Sequence, residues 1–499
     1  MIPRPWLAWA ALGLACSISS TVTATAAHGA GLSFGTLKFT PCTLAAPGQA
    51  ATLAARCAAL RVPEDRAHAG GRHIELAVGW VPSPAKSPAP DPVVFLAGGP
   101  GQSALDAFPM LAPAFQEALR QRDVILVDQR GTGRSHRLDC PKAIGDEAAL
   151  ALDVTDAAVA RDLARRCLGE LRDADPRFYT TSDYVADLEA VRAALGVEAV
   201  NLVGVSYGTR VALEYLRRHP GRIRAAVLDS VVPPTLILGA EHARNLDAAV
   251  DAQFARCDAD DRCRTRFGSP RARLDALLAR LRASPVTVAY ADPLTHGRRE
   301  DVLTAEALAG VVRLHAYSPP LFAMLPMLLE AASRGQYDTL MAQARMVGQL
   351  VGEQISVPLQ LAVSCAEDAP WLGPDLADRD TMMGSAFVDV LRAQCSVWPR
   401  GDVPGDFHAP VTSPRPVLLL SGEFDPVTPP RYGEDVARRL SRARHLVLRG
   451  QGHGVLGAGC TPRLLGGFLE RPAPAQLDAS CLEALGYVPP FAGLYGWDP

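Results

Sequence analysis

The chain has 499 residues, 48% of them hydrophobic and 21% charged, a globular composition that excludes a disordered, collagen-like or low-complexity chain. Fifty basic against 53 acidic residues leave a formal net charge of −3. That balance supplies no broad basic field for phosphates or an anionic membrane, so nucleic acid is not expected as a partner.

The first residues read as an export signal: Arg4 gives a positive start, an apolar run covers 6–15, and Ala24-Thr25-Ala26 offers a small-residue cleavage site. A signal peptide is therefore expected over 1–26, with a membrane anchor or lipidation at Cys16 as alternatives. No later apolar run is long enough to span a bilayer, so no stable membrane insertion is expected, and the mature chain should be periplasmic or extracellular. Removing the leader takes one of eleven cysteines and leaves ten, an even number in an oxidising compartment, which favours disulfides over metal ligands. Ten thiols allow on the order of a thousand pairings. Pairing each with its neighbour would join Cys42 to Cys57, Cys140 to Cys167, Cys257 to Cys263, Cys365 to Cys395 and Cys460 to Cys481.

From about residue 72 the chain alternates β-branched apolar runs with helical patterns, which predicts a mainly parallel sheet with crossover helices on both faces. Strands are expected at 74–81, 92–96, 123–127, 199–205 and 223–228. A helix over 183–195, capped by Thr181 or Ser182, should precede the fourth of these. Residues 235–408 show helical periodicity with Pro and Gly breaks and no comparable run of buried strands. The alternation then resumes with strands at 416–420 and 445–448 and helices at 431–440 and after Pro462. The expected organisation is a core over 27–234, a mostly helical lid insertion over 235–409, and the rest of the core over 410–499.

Gly204-Val205-Ser206-Tyr207-Gly208 ends an apolar strand and opens a helix, the setting in which a serine is held out on a sharp turn as a nucleophile. Such a hydroxyl needs an imidazole to take its proton and a carboxylate to hold that imidazole. His453, in Gly450-Gln451-Gly452-His453-Gly454, and Asp425, in Gly422-Glu423-Phe424-Asp425-Pro426, both follow strands. The order Ser, Asp, His is that of the α/β-hydrolase fold. Asp229 is the competing acid and Glu423 a lesser one, while His219, His315, His408 and His445 read as core or surface residues. Gly98-Gly99-Pro100-Gly101 follows the strand at 92–96, and its Gly99 N–H with that of Tyr207 would form the oxyanion hole. No cofactor or metal is needed. Residues alone reach acyl transfer, with an esterase acting on small esters as the alternative to a peptidase.

Gly98-Gly99-Pro100-Gly101, the run Asp128-Gln129-Arg130-Gly131-Thr132-Gly133-Arg134-Ser135 and the Ser206 elbow together resemble the prolyl iminopeptidase and tripeptidyl aminopeptidase family of α/β-hydrolases. Residues 416–469, the Cys460 to Cys481 tail and Ser364-Cys365-Ala366-Glu367-Asp368 are similar to its secreted tripeptidyl branch, whereas Ala97 replaces a histidine often found before the Gly-Gly-Pro-Gly run. The resemblance covers most of the mature chain. It implies a serine peptidase that cleaves peptide substrates near a free amino terminus through an acyl-enzyme. Recognition of that ammonium calls for a carboxylate, expected at Glu367 and Asp368 with Trp371 and Trp398 walling the subsite, unless both acids form ordinary lid salt bridges. Asp128 and Arg130 are expected to pair structurally near the site.

Overall fold

Short apolar runs bounded by Pro, Asp and Gly form the centre of a ten-stranded sheet in the computed structural model. It describes residues 32–144 apart from 47 and 49, then 156–373, 378–491 and 493. The leader expected over 1–26 lies outside the described residues. The strands are β1 (Leu32–Phe34), β2 (Leu37–Ala45), β3 (Thr52–Pro63), β4 (His73–Val81), β5 (Val93–Leu96), β6 (Val124–Val127), β7 (Val200–Val205), β8 (Ile223–Asp229), β9 (Val286–Ala291), β10 (Arg298–Leu303), β11 (Val417–Gly422) and β12 (Ala443–Leu448). The sheet order is β1-β2-β3-β4-β6-β5-β7-β8-β11-β12. Neighbours from β6 to β12 run parallel, and β1 to β4 join antiparallel, with β4 antiparallel to β6. The strands β1 to β3 had no counterpart in the expected set, because their Ala, Thr and Cys content carries little apolar signal.

Every residue of β5, β6 and β11 is buried, as parallel strands covered on both faces must be. Successive side chains feed opposite cores, following the period of two. Val94, Leu96, Ile125 and Leu202 pack with the helices Thr181–Ala194 and Tyr207–Arg218. Val93, Phe95, Leu126 and Val203 pack with Ala104–Leu111 and Thr461–Glu470. The chain passes from β5 to β6 on one side and returns to β7 on the other, so the carboxyl ends of β5 and β7 flank a switch point, where open α/β sheets bind ligands.

The helices between β8 and β11 divide by their packing. His242–Ala259, Pro270–Ala283, Ala305–Ala316 and Leu325–Ser333 share a separate core with β9 and β10. Val357–Glu367 and Ala386–Cys395 instead bury Leu359, Val363 and Leu391 against the sheet's own core, joined by Trp398 just beyond the second helix. The antiparallel pair β9 and β10 interrupts a segment read as helical, and Val288 and Tyr290 alternate inward there. Thr180, one residue before the expected cap, forms a reciprocal capping box with Asp183. The five bridges Cys42–Cys57, Cys140–Cys167, Cys257–Cys263, Cys365–Cys395 and Cys460–Cys481 follow nearest-neighbour pairing.

Asp128 and Arg130 do not pair with each other. Arg130, with no exposed side-chain surface, meets both oxygens of Asp187 at 2.7 Å and donates to the carbonyls of Glu64 and Phe178. Asp128 accepts from Ser103 Oγ and from the backbone N–H groups of Leu105 and Arg134, and burial pushes its carboxyl up to about 6. The Asp128 to Ser135 run is thus a scaffold beneath the sheet's ligand end. Arg130→Met is expected to lower unfolding free energy by about 3–5 kcal/mol, since it removes the bidentate partner of a buried carboxylate. Denaturant unfolding checks this, and a loss under about 1 kcal/mol would contradict it.

Candidate active site

Ser206 has φ 55° and ψ −123° between β7 and the helix that starts at Tyr207. This backbone region costs a residue with a Cβ roughly 1–3 kcal/mol and persists only where surroundings impose it. Its N–H donates to Asp229 O at 2.9 Å, and its carbonyl accepts from Thr209 N and Oγ1. The flanking glycines are required by contact: a Cβ on Gly204 would lie 2.5 Å from Gly208 O, and one on Gly208 would lie 2.2 Å from Leu96 O. The ends of β5 and β7 and the first helical turn therefore touch backbone to backbone.

Asp425 follows β11 and accepts the N–H groups of Val427 and Thr428, at 2.9 and 2.8 Å. His453 follows β12, with Nδ1 at 2.9 and 2.8 Å from the two Asp425 oxygens. Burial by itself disfavours both charges, but each outweighs that penalty for the other: Asp425 is held below the ordinary carboxylate range and His453 above the ordinary imidazole value. The His453 loop is fixed from the helical insertion, because His453 N donates to Tyr317 O at 2.9 Å and the Tyr317 ring stands edge-on to the imidazole at 5.1 Å.

The rival groups have other partners. Asp229 Oδ2 accepts from Val455 N and Leu456 N, at 2.7 and 2.8 Å; burial pushes its carboxyl up to about 6. Glu423 accepts from Gly450 N and the Tyr487 hydroxyl. His445 meets Ser421 Oγ, His315 meets Val311 O and Gln343, and His408 meets two backbone carbonyls.

The loop after β5 lies against the elbow, with a Cβ built on Gly98 only 3.3 Å from that of Ser206. Gly99 has φ +106° and Gly101 φ +109°, and a Cβ on Gly101 would strike Ser356 O at 2.7 Å. Among the described residues no protein acceptor takes the Gly99 N–H. The Tyr207 N–H, first in its helix, has no intrahelical acceptor by position. Among the described residues no group of three or more His, Cys, Asp or Glu side chains is placed to hold a metal ion.

A family model described as alpha/beta hydrolase fold matches residues 91–457. The chain belongs to the α/β hydrolase fold family. Serine protease Hip1 of Mycobacterium tuberculosis H37Rv is 26% identical over 492 residues, covering 89% of this chain and 91% of that protein. Tripeptidyl aminopeptidase of Streptomyces lividans is 31% identical over 194 residues, 36% of each chain. Among solved structures, proline iminopeptidase of Mycobacterium smegmatis is 19% identical with a TM-score of 0.41, covering 84% of this chain and 99% of that one.

In this α/β hydrolase Glu367 and Asp368 do not face a free amine, which corrects the expectation for both. They are 1% and 0% exposed. Glu367 accepts from Thr181 N at 2.6 Å and Thr181 Oγ1 at 2.9 Å, and Asp368 takes Arg210 Nη1 at 3.0–3.1 Å and Leu238 N at 2.9 Å. Burial pushes the Glu367 carboxyl up to about 8. Trp371 is 67% exposed while Trp398 is buried in the core, so the two wall no common subsite. These contacts bind the insertion to the elbow helix, because Thr181 Oγ1 also meets the Tyr207 hydroxyl at 2.6 Å. Thr428 went unnoticed in the sequence: its hydroxyl donates to Asp425 Oδ2 at 2.8 Å and stands 3.3 Å from His453 Nδ1. The signal was local, an Asp followed three residues later by Thr before Pro429 and Pro430. Glu367→Gln is expected to change kcat/KM by the same factor for peptides with free and acetylated amino termini. A loss confined to free-amine peptides would return the anchoring role to Glu367.

Proposed function

We propose that this chain is an exported serine peptidase that cleaves peptide bonds near a free amino terminus. Ser206 Oγ attacks the carbonyl, His453 takes its proton through Nε2, and Asp425 holds the Nδ1–H tautomer and stabilises the imidazolium. The N–H groups of Gly99 and Tyr207 receive the developing oxyanion. His453 then gives its proton to the departing amine, and water releases the acyl group from Ser206. Residues 235–409 act as a lid that limits access. The observation that carries this reading is the buried contact of His453 Nδ1 with both Asp425 oxygens, at the ends of β11 and β12, which β8 separates from the strand that ends in a strained Ser206. Two relatives named as a serine protease and a tripeptidyl aminopeptidase support the peptide substrate. The leader pattern and five disulfides support export.

Ser206→Ala is expected to cost about 10⁴–10⁶ in kcat with the fold intact, and a serine-directed phosphonate should label Ser206 alone. Turnover of chromogenic tripeptidyl amides measures this, and hydrolysis of simple esters without amide turnover would replace the peptidase by an esterase.

His453 works as a base only when neutral, and its pKa is raised, so the acid limb of kcat/KM should lie above the usual imidazole value of about 6.5. Asp425→Asn should move that limb down and cut kcat far more than Asp229→Asn, whose carboxylate touches the loop and not the ring. The opposite ranking in a pH–rate comparison of the two variants would transfer the acid's role to Asp229.

A further inference from the structure

Arg313 lies on the helix Ala305–Ala316, one turn before the Tyr317 that holds His453. Its guanidinium is 5.9 Å from the centroids of both Tyr317 and Phe387, and Nη2 donates to the Tyr317 hydroxyl at 3.3 Å. Among the described residues no carboxylate comes within salt-bridge distance of it. Glu241, next to His242 in the chain, is already engaged by Arg431 at 2.8 Å and the Tyr432 hydroxyl at 2.6 Å. His242 shares the Phe387 ring, tilted at 49° to it with centroids 5.4 Å apart, and among the described residues both of its buried ring nitrogens lack a hydrogen-bond partner. An orphaned buried donor is costly and marks a place where a ligand or water completes the bonding.

Burial, with the Arg313 charge adding to it, pushes His242 down to about 3, so it remains a neutral donor at working pH. The same charge opposes protonation of His453, which puts Arg313 within Coulombic reach of both rings. In the mechanism proposed above, His453 hands its proton to the departing nitrogen. The released fragment therefore departs beside that imidazole, whose ring Tyr317 meets edge-on at 5.1 Å.

We propose that Arg313 and His242, flanked by Tyr317 and Phe387, form a carboxylate-binding subsite for the released fragment. The favoured substrates carry a carboxylate just beyond the cleaved bond, as a free carboxyl terminus or as an Asp or Glu side chain. This rests on the serine-peptidase reading and adds a selectivity to it. Arginine suits the task because its planar fork binds carboxylates bidentately and stacks on aromatic rings.

Three peptides with a common Ala-Ala-Ala acyl part and the leaving groups glycine, glycinamide and aspartyl amide test it. The wild type should prefer at least one of the two acid leaving groups over glycinamide by about tenfold in kcat/KM, and which one shows whether the carboxyl terminus or the side chain is read. In Arg313→Met that ratio should fall to near one, while Arg313→Lys should retain part of it. Because each ratio is taken within one preparation, partial misfolding does not affect it. Equal rates for all three peptides in the wild type, or a preference that survives Arg313→Met, would overturn the subsite. Calorimetric binding of the same peptides to Ser206→Ala separates the two claims. Tighter binding of an acid peptide that is lost in Ser206→Ala/Arg313→Met supports the subsite even if no peptide is cleaved, and no difference in binding rejects it even in an active peptidase.

Discussion

A non-glycine residue at the end of β7 can hold φ 55° because the backbone around it has no room to relax. Gly204, Gly208 and the end of β5 meet at distances no side chain could share, and Asp229 O and Thr209 clamp the Ser206 peptide groups from either side. Strain of this kind survives only where packing over-determines it. The rest of the arrangement is built outward from this point. The glycine loop after β5 is placed by its contact with Ser206, and Asp229, whose carbonyl receives the Ser206 N–H, reaches with its carboxylate to the loop beyond His453.

Two aspartates at neighbouring strand ends differ because their partners differ. Asp425 faces an imidazole that can carry charge, so its ionised form is favoured. Asp229 meets backbone N–H groups and the Ser230 hydroxyl but no partner that can carry charge, and burial dominates, leaving it easier to protonate. A carboxylate facing a chargeable ring can stabilise an imidazolium, and one bound to a loop can hold that loop in place.

Buried charge also joins the helical insertion to the sheet. Arg210 on the elbow helix meets Asp368, and Thr181 links Glu367 to the Tyr207 hydroxyl next to Ser206. The Gly101 carbonyl accepts from Ser356 N, so the same insertion touches the glycine loop. Such contacts fix geometry more than they add stability, since desolvation offsets much of the Coulombic attraction.

Local chemistry was legible in the sequence. The strand periods, the glycines around Ser206, the turn residues before Asp425 and His453, and neighbouring cysteines all act over a few residues, and the sheet and the Asp425 to His453 contact follow from them. What local pattern cannot carry is which side chain a buried charge will find. Glu367 and Asp368 read as ligand groups until Thr181 and Arg210, more than 150 positions away in the chain, filled their oxygens. Arg130 chose Asp187 over Asp128 for the same reason, and among the described residues folding brings the rings of Tyr317 and Phe387, not a carboxylate, to Arg313. Propensity and turn chemistry are properties of neighbours in sequence, whereas desolvation and pairing are decided by neighbours in space. The sequence by itself determined the strands from β4 to β8 with β11 and β12, and the strand ends that carry Ser206, Asp425 and His453. Only the tertiary structure decided which charges are spent on the fold and which face the site.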